Sequence, residues 1–504
     1  MTTSLGGTSG GGEVKERPGG TLERNAIGLG GVMMQSITHI SPAIAALFFT
    51  QFVVSKAGEA APLAYLIGVI IVLMLAVTLA QMAKVLPSAG GYYTFVSRGV
   101  HPRAGFLTSW MYVLYSPLAG GAIYAFFGYT LNTVFQTFYK WDLPWLWWVC
   151  VLIGAPLVAF IQLRGISIST KILIALGSME MLIVMALGIW GLARPGAGGF
   201  TFGVFDFSRK LSFEGFALAV VFSVQGLTGW EAAAPLAEES RNPRRNVPRA
   251  LVWSVVLIGA FLVVMYWGQV VGYGVKNLNG LSTASVLPGI SLARKYWGGG
   301  YVLILIAFFN SVMAVCLACA NVGSRMWYRM GQSGTLPPTF AVVHPKYKTP
   351  TTAILVQLAL SIASAIGVGL WLGASNAYFL IDGLILVIAC VVIYIMGNLA
   401  CFLLYWRTRR DQFNVVMHLI FPIISTAALI YALIKSFPTP YPFNLSPWID
   451  AVWLLIGVGI LVYFKIKGNE TWLLEAGKAL GEEGEPSLLD DAVPGEATTP
   501  QEVQ

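Results

Sequence analysis

Charge is what this sequence has least of. Asp, Glu, Lys and Arg make up 11% of its 504 residues, against 56% hydrophobic residues. Soluble proteins carry roughly 25% charge. A soluble domain is therefore excluded, and a polytopic membrane protein is implied. Histidine is nearly as scarce. His39, His101, His344 and His418 are dispersed along the chain, so no clustered ligand set for a membrane enzyme or a metal is in view. The five cysteines, Cys150, Cys316, Cys319, Cys390 and Cys401, all lie inside apolar runs, and no disulfide framework is implied. Cys316 and Cys319 have CxxC spacing without a second pair or a nearby histidine, and packing is the plainer reading. No charge ring or filter for a channel is present. Gly28-Leu29-Gly30-Gly31 superficially resembles a nucleotide loop, but it lacks a preceding strand and a P-loop lysine. Close helix packing accounts for it. No cleavable leader is visible. No catalytic residue, metal or cofactor is expected. Despite a net charge of +8, neither is nucleic acid, because the basic residues punctuate apolar runs.

What is present is a succession of apolar stretches. At roughly 20 residues per crossing, twelve spans are predicted: 27–54, 61–83, 105–137, 144–163, 168–192, 213–236, 248–272, 300–328, 352–373, 376–405, 415–436 and 447–466. With the N-terminus placed in the cytoplasm, 22 of the 31 Lys and Arg residues fall in inside segments. This bias assigns both termini to the cytoplasm of a multi-pass plasma-membrane protein. Residues 1–24 are Gly-, Ser- and Thr-rich, and residues 468–504 are acidic with scattered prolines. Both tails are expected to be disordered.

Two spans are interrupted. The first has Ser36-Ile37-Thr38-His39-Ile40-Ser41-Pro42 at its middle, and the sixth has Gln225-Gly226-Leu227-Thr228-Gly229. A broken helix survives in hydrocarbon only where it lines a cavity or packs in protein. Two breaks at matching places point to a transporter's binding site. Spans 1–5 (residues 25–195) and 6–10 (205–410) then form two repeats. Five being odd, the second copy is inverted. Spans 11 and 12 (411–467) stand outside them.

Several loops resemble those of amino acid–polyamine–organocation transporters. One is Pro87-Ser88-Ala89-Gly90-Gly91-Tyr92-Tyr93-Thr94-Phe95-Val96, with Gly105-Phe106 and Trp110. A second is Gly229-Trp230-Glu231-Ala232-Ala233, running through Ala237-Glu238-Glu239-Ser240-Arg241-Asn242-Pro243 to Ala250. A third is Arg325 with Gly334-Thr335-Leu336-Pro337-Pro338 and Lys348-Thr349-Pro350, and a fourth is Tyr394 with Asn398-Leu399. The matches run in order over about residues 24–410. The resemblance implies an all-α integral membrane protein with the leucine-transporter-like five-plus-five inverted repeat plus two C-terminal helices. It also implies secondary transport of amino acids or related amines. Many relatives carry a short glycine-rich first break. Here Thr38, His39, Ile40, Ser41 and Pro42 stand there instead, which bears on substrate choice.

Backbone from Ile37 to Ala43 and from Gln225 to Gly229 can offer N–H groups to a carboxylate and carbonyls to an ammonium. The expected substrate-binding residues are Ile37, Thr38, His39, Ile40, Ser41, Pro42, Ala43, Tyr115, Gln225, Gly226, Leu227, Thr228 and Gly229. His39 either contacts substrate or satisfies stray backbone groups. Glu180, in the fifth span, is a functional candidate because a carboxylate in the bilayer is costly. By resemblance it falls near a lysine that fills the sodium space in sodium-independent relatives. It can carry a proton where a fixed cation cannot. Glu231 is assigned to proton coupling or to the inner gate, and Trp230 to gating. Tyr112 and Tyr124 are expected near the pocket, and Asp382 at the membrane interface. A sodium site usually takes adjacent hydroxyls from the eighth span, which offers Ser311 without a neighbouring partner. The expected function is a proton-coupled symporter of a neutral or cationic amino acid or amine. The partners are a small-molecule substrate, protons and the lipid bilayer. A sodium-independent exchanger and a substrate sensor on the same fold are the alternatives. The sequence does not specify an oligomeric state.

Overall fold

In hydrocarbon no water is available to satisfy a peptide group, so each crossing must close its own hydrogen bonds. The apolar runs accordingly become helices. The computed structural model describes residues 21–283, 285–436, 440–468 and 472. Most of both tails lies outside these residues. Of the expected N-terminal tail, residues 21–24 are described, and Leu22 is buried against Ala89 and Tyr328.

The first crossing consists of three short helices, α1 (Leu29–Ile40), α2 (Pro42–Leu47) and α3 (Phe49–Ala57). The second is α4 (Ala61–Val85). A buried amphipathic helix, α5 (Tyr92–Gly99), precedes the third crossing, α6 (Pro102–Tyr139). α7 (Leu146–Leu163) and α8 (Ile166–Ala193) complete the first set. The sixth crossing is α9 (Phe213–Gln225) followed by a 3-10 segment, Trp230–Leu236. The seventh is α10 (Pro243–Tyr273). Two short helices, α11 (Leu278–Ser282) and α12 (Pro288–Trp297), lead into α13 (Val302–Gln332), the eighth. α14 (Thr351–Leu372) is the ninth. The tenth is α15 (Ala374–Leu380) joined through a π-helical turn, Ile381–Ile385, to α16 (Leu386–Thr408). α17 (Phe421–Ser436) and α18 (Ser446–Ile466) end the bundle.

Among the described residues, eleven helical stretches are long and apolar enough to cross a bilayer. The expected twelfth is the first crossing, whose break leaves no half long enough alone. The helix packing relates the first five crossings to the second five. α4 packs on α10 and α6 on α13, pairing the second crossing with the seventh and the third with the eighth. α1 packs on α10 as α9 packs on α4, and α8 packs on α13 as α16 packs on α6. Exchanging crossing n with n+5 maps each of these contacts onto another of them. Small residues allow the tightest approaches. A β-carbon on Gly268 would come within 2.2 Å of the Gly188 carbonyl oxygen, so α8 and α10 meet backbone to backbone there.

The twelfth crossing is fixed to the third by a reciprocal pair. Trp110 and Trp453 stack with ring centroids 4.5 Å apart. Each indole N–H donates to the other's backbone carbonyl at 2.7 Å.

The loops divide between two faces. One carries Arg98, Arg164, Arg241 and Arg329 and is called the basic face here. The other carries the loops around Glu59, Arg209 and Arg294.

Candidate functional site

Ser41 makes the first break. Its φ of 63° and ψ of 74° are left-handed, and Pro42 begins α2. Proline disfavours the right-handed helical region for the residue before it. A left-handed non-glycine residue costs about 1–3 kcal/mol, which the surroundings must offset. Here the Ser41 N–H donates to the Thr38 carbonyl at 3.1 Å, and its own carbonyl accepts from Ala45 at 2.8 Å. The second break turns at Gly229, with φ 105°. A β-carbon at this position would lie 2.9 Å from both the carbonyl carbon and the ring of His39. The two breaks are therefore in direct contact. Ser36 reinforces the junction by accepting from the Ala233 N–H at 3.0 Å.

A cavity of about 200 Å³ lies beside this junction. His39, Ile40, Ser41, Tyr115, Gln225, Gly226 and Thr228 line it. Seven of the thirteen expected binding residues thus meet at one cavity. The others do not line it. Ile37 and Leu227 are buried in the core. Thr38 bonds back to the Met34 carbonyl at 2.6 Å and presents its methyl to Gly177 of α8. Pro42 and Ala43 form the first turn of α2, and Gly229 packs on His39.

The cavity's remaining wall is mostly apolar and includes the aromatic residues Phe48, Phe49, Phe52, Phe222, Tyr378 and Phe379. These residues could be read in the sequence only as parts of ordinary apolar spans. The wall reaches Lys435, which pairs with exposed Glu214 on the face opposite the basic one. Two polar groups look inward without a full complement of partners. His39 shares a 3.3 Å contact between its Nε2 and the Tyr115 hydroxyl, while its Nδ1 has no partner. Asp382, expected at the interface, instead lines the cavity from the π-helical turn, and its buried Oδ2 has no partner. An extra residue in one helical turn rotates the side chains that follow, and such turns recur at functional sites. An acid within an apolar span was the available signal.

Glu180 does not line the cavity but is linked to it. Its Oε2 accepts from the Asn310 Nδ2 at 3.0 Å and its Oε1 from the Ser311 hydroxyl at 3.1 Å. The Ser311 hydroxyl lies 2.7 Å from that of Ser41, which faces the cavity. The hydroxyl pairing absent along α13 is thus made across helices, by the left-handed residue of the break.

Beneath the cavity the chain is closed on the basic side. Glu231 accepts hydrogen bonds from the Tyr112 hydroxyl at 2.9 Å and the Tyr394 hydroxyl at 2.8 Å. Trp230 packs on Tyr394, with ring centroids 5.5 Å apart, and does not line the cavity. Deeper still, Arg325 forms a buried two-point ion pair with Glu239 at 2.8 and 3.2 Å. A short bridge joins Ile27 to Ser240. Tyr124, expected near the pocket, instead packs against Gly154 of α7.

The backbone N–H groups expected to hold a substrate carboxylate are partly engaged. The Ser41 N–H is taken by the Thr38 carbonyl, and Ile44 donates to the Ser311 hydroxyl at 3.4 Å. Among the described residues, no group of three or more His, Cys, Asp and Glu could hold a metal ion.

Comparison with known proteins places this geometry in a context. A family model described as "Amino acid permease" matches residues 27–461. The chain is similar to the serine/threonine exchanger SteT of Bacillus subtilis, 25% identical over 80% of this chain and 88% of that one. It is similar to the general amino acid permease AGP3 of Saccharomyces cerevisiae, 25% identical over 81% and 75% of the two chains. The low-affinity putrescine importer PlaP of Escherichia coli is 22% identical over 67% of this chain and 74% of its own.

Proposed function

The chain belongs to the amino acid permease family, a family of transporters and not of enzymes, and on that premise we propose that it is a proton-coupled secondary transporter of an amino acid or related amine. The observation that carries this reading is the connection between the cavity and Glu180. The break that shapes the cavity supplies Ser41, whose hydroxyl continues through Ser311 to a carboxyl buried among three helices. Ionisable groups inside a membrane protein mark ion and proton pathways. Hydroxyls both donate and accept, so this chain can pass a proton between Glu180 and the cavity.

The cycle works by alternating access. In the arrangement described, the cavity extends toward the Lys435 face, while Glu231, its two tyrosines and the Arg325–Glu239 pair close the basic face. The excess of Lys and Arg supports assigning the basic face, and both termini, to the cytoplasm of the plasma membrane. Substrate and proton then enter from outside. The two broken crossings move against the scaffold of the third and eighth, the outer side closes, and the Glu231 layer opens.

The names of SteT and PlaP support substrates that are amino acids or amines. The test is uptake by proteoliposomes of a panel of radiolabelled amino acids and amines, first under an imposed pH gradient and then under a sodium gradient. Accumulation driven by the pH gradient is expected. If no compound moves under either gradient, the transporter reading falls. If only sodium drives uptake, proton coupling falls. Exchange without net accumulation would identify an antiporter.

A further inference from the structure

Asp382 is the feature of the cavity that alternating access alone does not explain. It is a carboxyl within an apolar span, turned to the cavity by a π-helical turn, with one oxygen buried and unpartnered. The turn is held in place: the Gln225 side-chain amide, from the second break, donates to the carbonyl of neighbouring Gly383 at 3.2 Å. The charge partners near it do not neutralise it. Lys435, the one Lys or Arg of the cavity lining, sits at the mouth and is paired with Glu214. His39 lies on the other wall, bonded to Tyr115. Carboxylates in the membrane are rare and usually paired. A carboxyl facing a pocket with no protein partner is therefore suited to a ligand cation.

The rest of the cavity bears on which cation. Phe48, Phe49, Phe52, Phe222 and Phe379 offer apolar surface and ring faces, which attract an ammonium and its hydrocarbon body alike. Several backbone N–H groups at the breaks are already engaged and are not free for a carboxylate. The Ser41, Leu227 and Thr228 N–H groups bond to the Thr38, Val224 and Gln225 carbonyls, and that of Ile44 to the Ser311 hydroxyl.

We propose that Asp382 is the amine-recognition residue of this cavity, and that its ligand is a primary amine with an apolar body for which a free carboxylate is dispensable. The proposal rests on the reading that this cavity is the transport site.

Three matched compounds test it: leucine, 3-methylbutylamine, which lacks the carboxylate, and 4-methylpentanoate, which lacks the amine. Binding to the purified full-length protein is measured by calorimetry, independently of transport. Leucine and 3-methylbutylamine are expected to bind, and 4-methylpentanoate is not. Asp382→Asn should weaken both amines by about tenfold or more, as expected for loss of a charged hydrogen-bond partner. Asp382→Glu should keep the preference for amines. Binding of 4-methylpentanoate as tight as that of the amine overturns the proposal. So does failure of 3-methylbutylamine to bind, or unchanged amine binding by folded Asp382→Asn. The wild-type series decides the ligand class even if Asp382→Asn does not fold, and Asp382→Glu then tests the residue. Transport of amine-free acids in proteoliposomes would leave the transporter reading standing and remove this one. Amine binding without transport of any compound would do the reverse.

Discussion

The Gly229 backbone lies against His39 so closely that no side chain fits between them: a β-carbon there would meet the histidine ring and its carbonyl carbon at 2.9 Å. The contact joins the two interrupted crossings at their weakest points. It also explains why a left-handed glycine stands where the sixth crossing turns.

Gly229→Ala should therefore separate the breaks. Left-handed strain on alanine adds about 1 kcal/mol or more, and the clash adds to it. We expect a lower melting temperature and at least tenfold slower uptake, as judged by reconstituted initial rates at matched protein density. Wild-type rates in this variant would show that the contact is incidental.

Glu180→Gln keeps shape and hydrogen bonding but cannot carry charge. It should abolish accumulation driven by a pH gradient while leaving substrate binding and exchange partly intact. His39 and Asp382, which both line the cavity, are the other titratable groups at the end of this route, so His39→Gln and Asp382→Asn are the paired controls. Unchanged pH-driven accumulation in Glu180→Gln would remove the proton role.

Ser311→Ala and Ser41→Ala interrupt the link from Glu180 to the cavity without removing the carboxyl. Each should slow proton-driven uptake while Glu180 remains in place. If both serines can be replaced together with no change in rate, the proton reaches Glu180 by another path.

Tyr394→Phe removes one of two hydroxyls from the buried Glu231 carboxyl. A hydrogen bond to a charged group is worth roughly 1.5–3 kcal/mol. The variant should expose Cys390, on the same tenth crossing, to thiol reagents applied from the basic side. Unaltered labelling would mean that the layer does not seal that side.

Arg325→Ala leaves Glu239 buried without a partner. Such a loss typically costs about 3–5 kcal/mol. Thermal unfolding in detergent should show this as a large drop in melting temperature, with Arg325→Met combined with Glu239→Leu recovering much of it. A small drop for the single variant would place water, or another cation, beside Glu239.

The crossings were legible because the bilayer leaves the backbone few options. The breaks were legible because serine before proline, and glycines inside an apolar run, are costly there without a reason. Glu180 stood out on the same grounds. What escaped was rotation. Asp382 reads as an end-of-helix acid until the extra residue of the π-helical turn swings it inward. Trp230 reads as a cavity gate until the tight 3-10 winding after Gly229 carries it to Tyr394. The aromatic wall was hidden because Phe48, Phe49 and Phe52 look alike whether they face lipid or a pocket. The Ser41–Ser311 pair joins residues 270 positions apart, beyond the reach of any local pattern.

The closures on the two sides of the cavity are unequal, and the inequality has a kinetic meaning. On one side the cavity ends near a solvent-exposed Lys435–Glu214 pair, of a kind worth little in water. On the other stand a carboxyl held by two tyrosines and, beyond it, an ion pair with almost no solvent contact. Doors of such different weight should leave the protein resting open toward Lys435, with the opening of the heavier side its slow stroke.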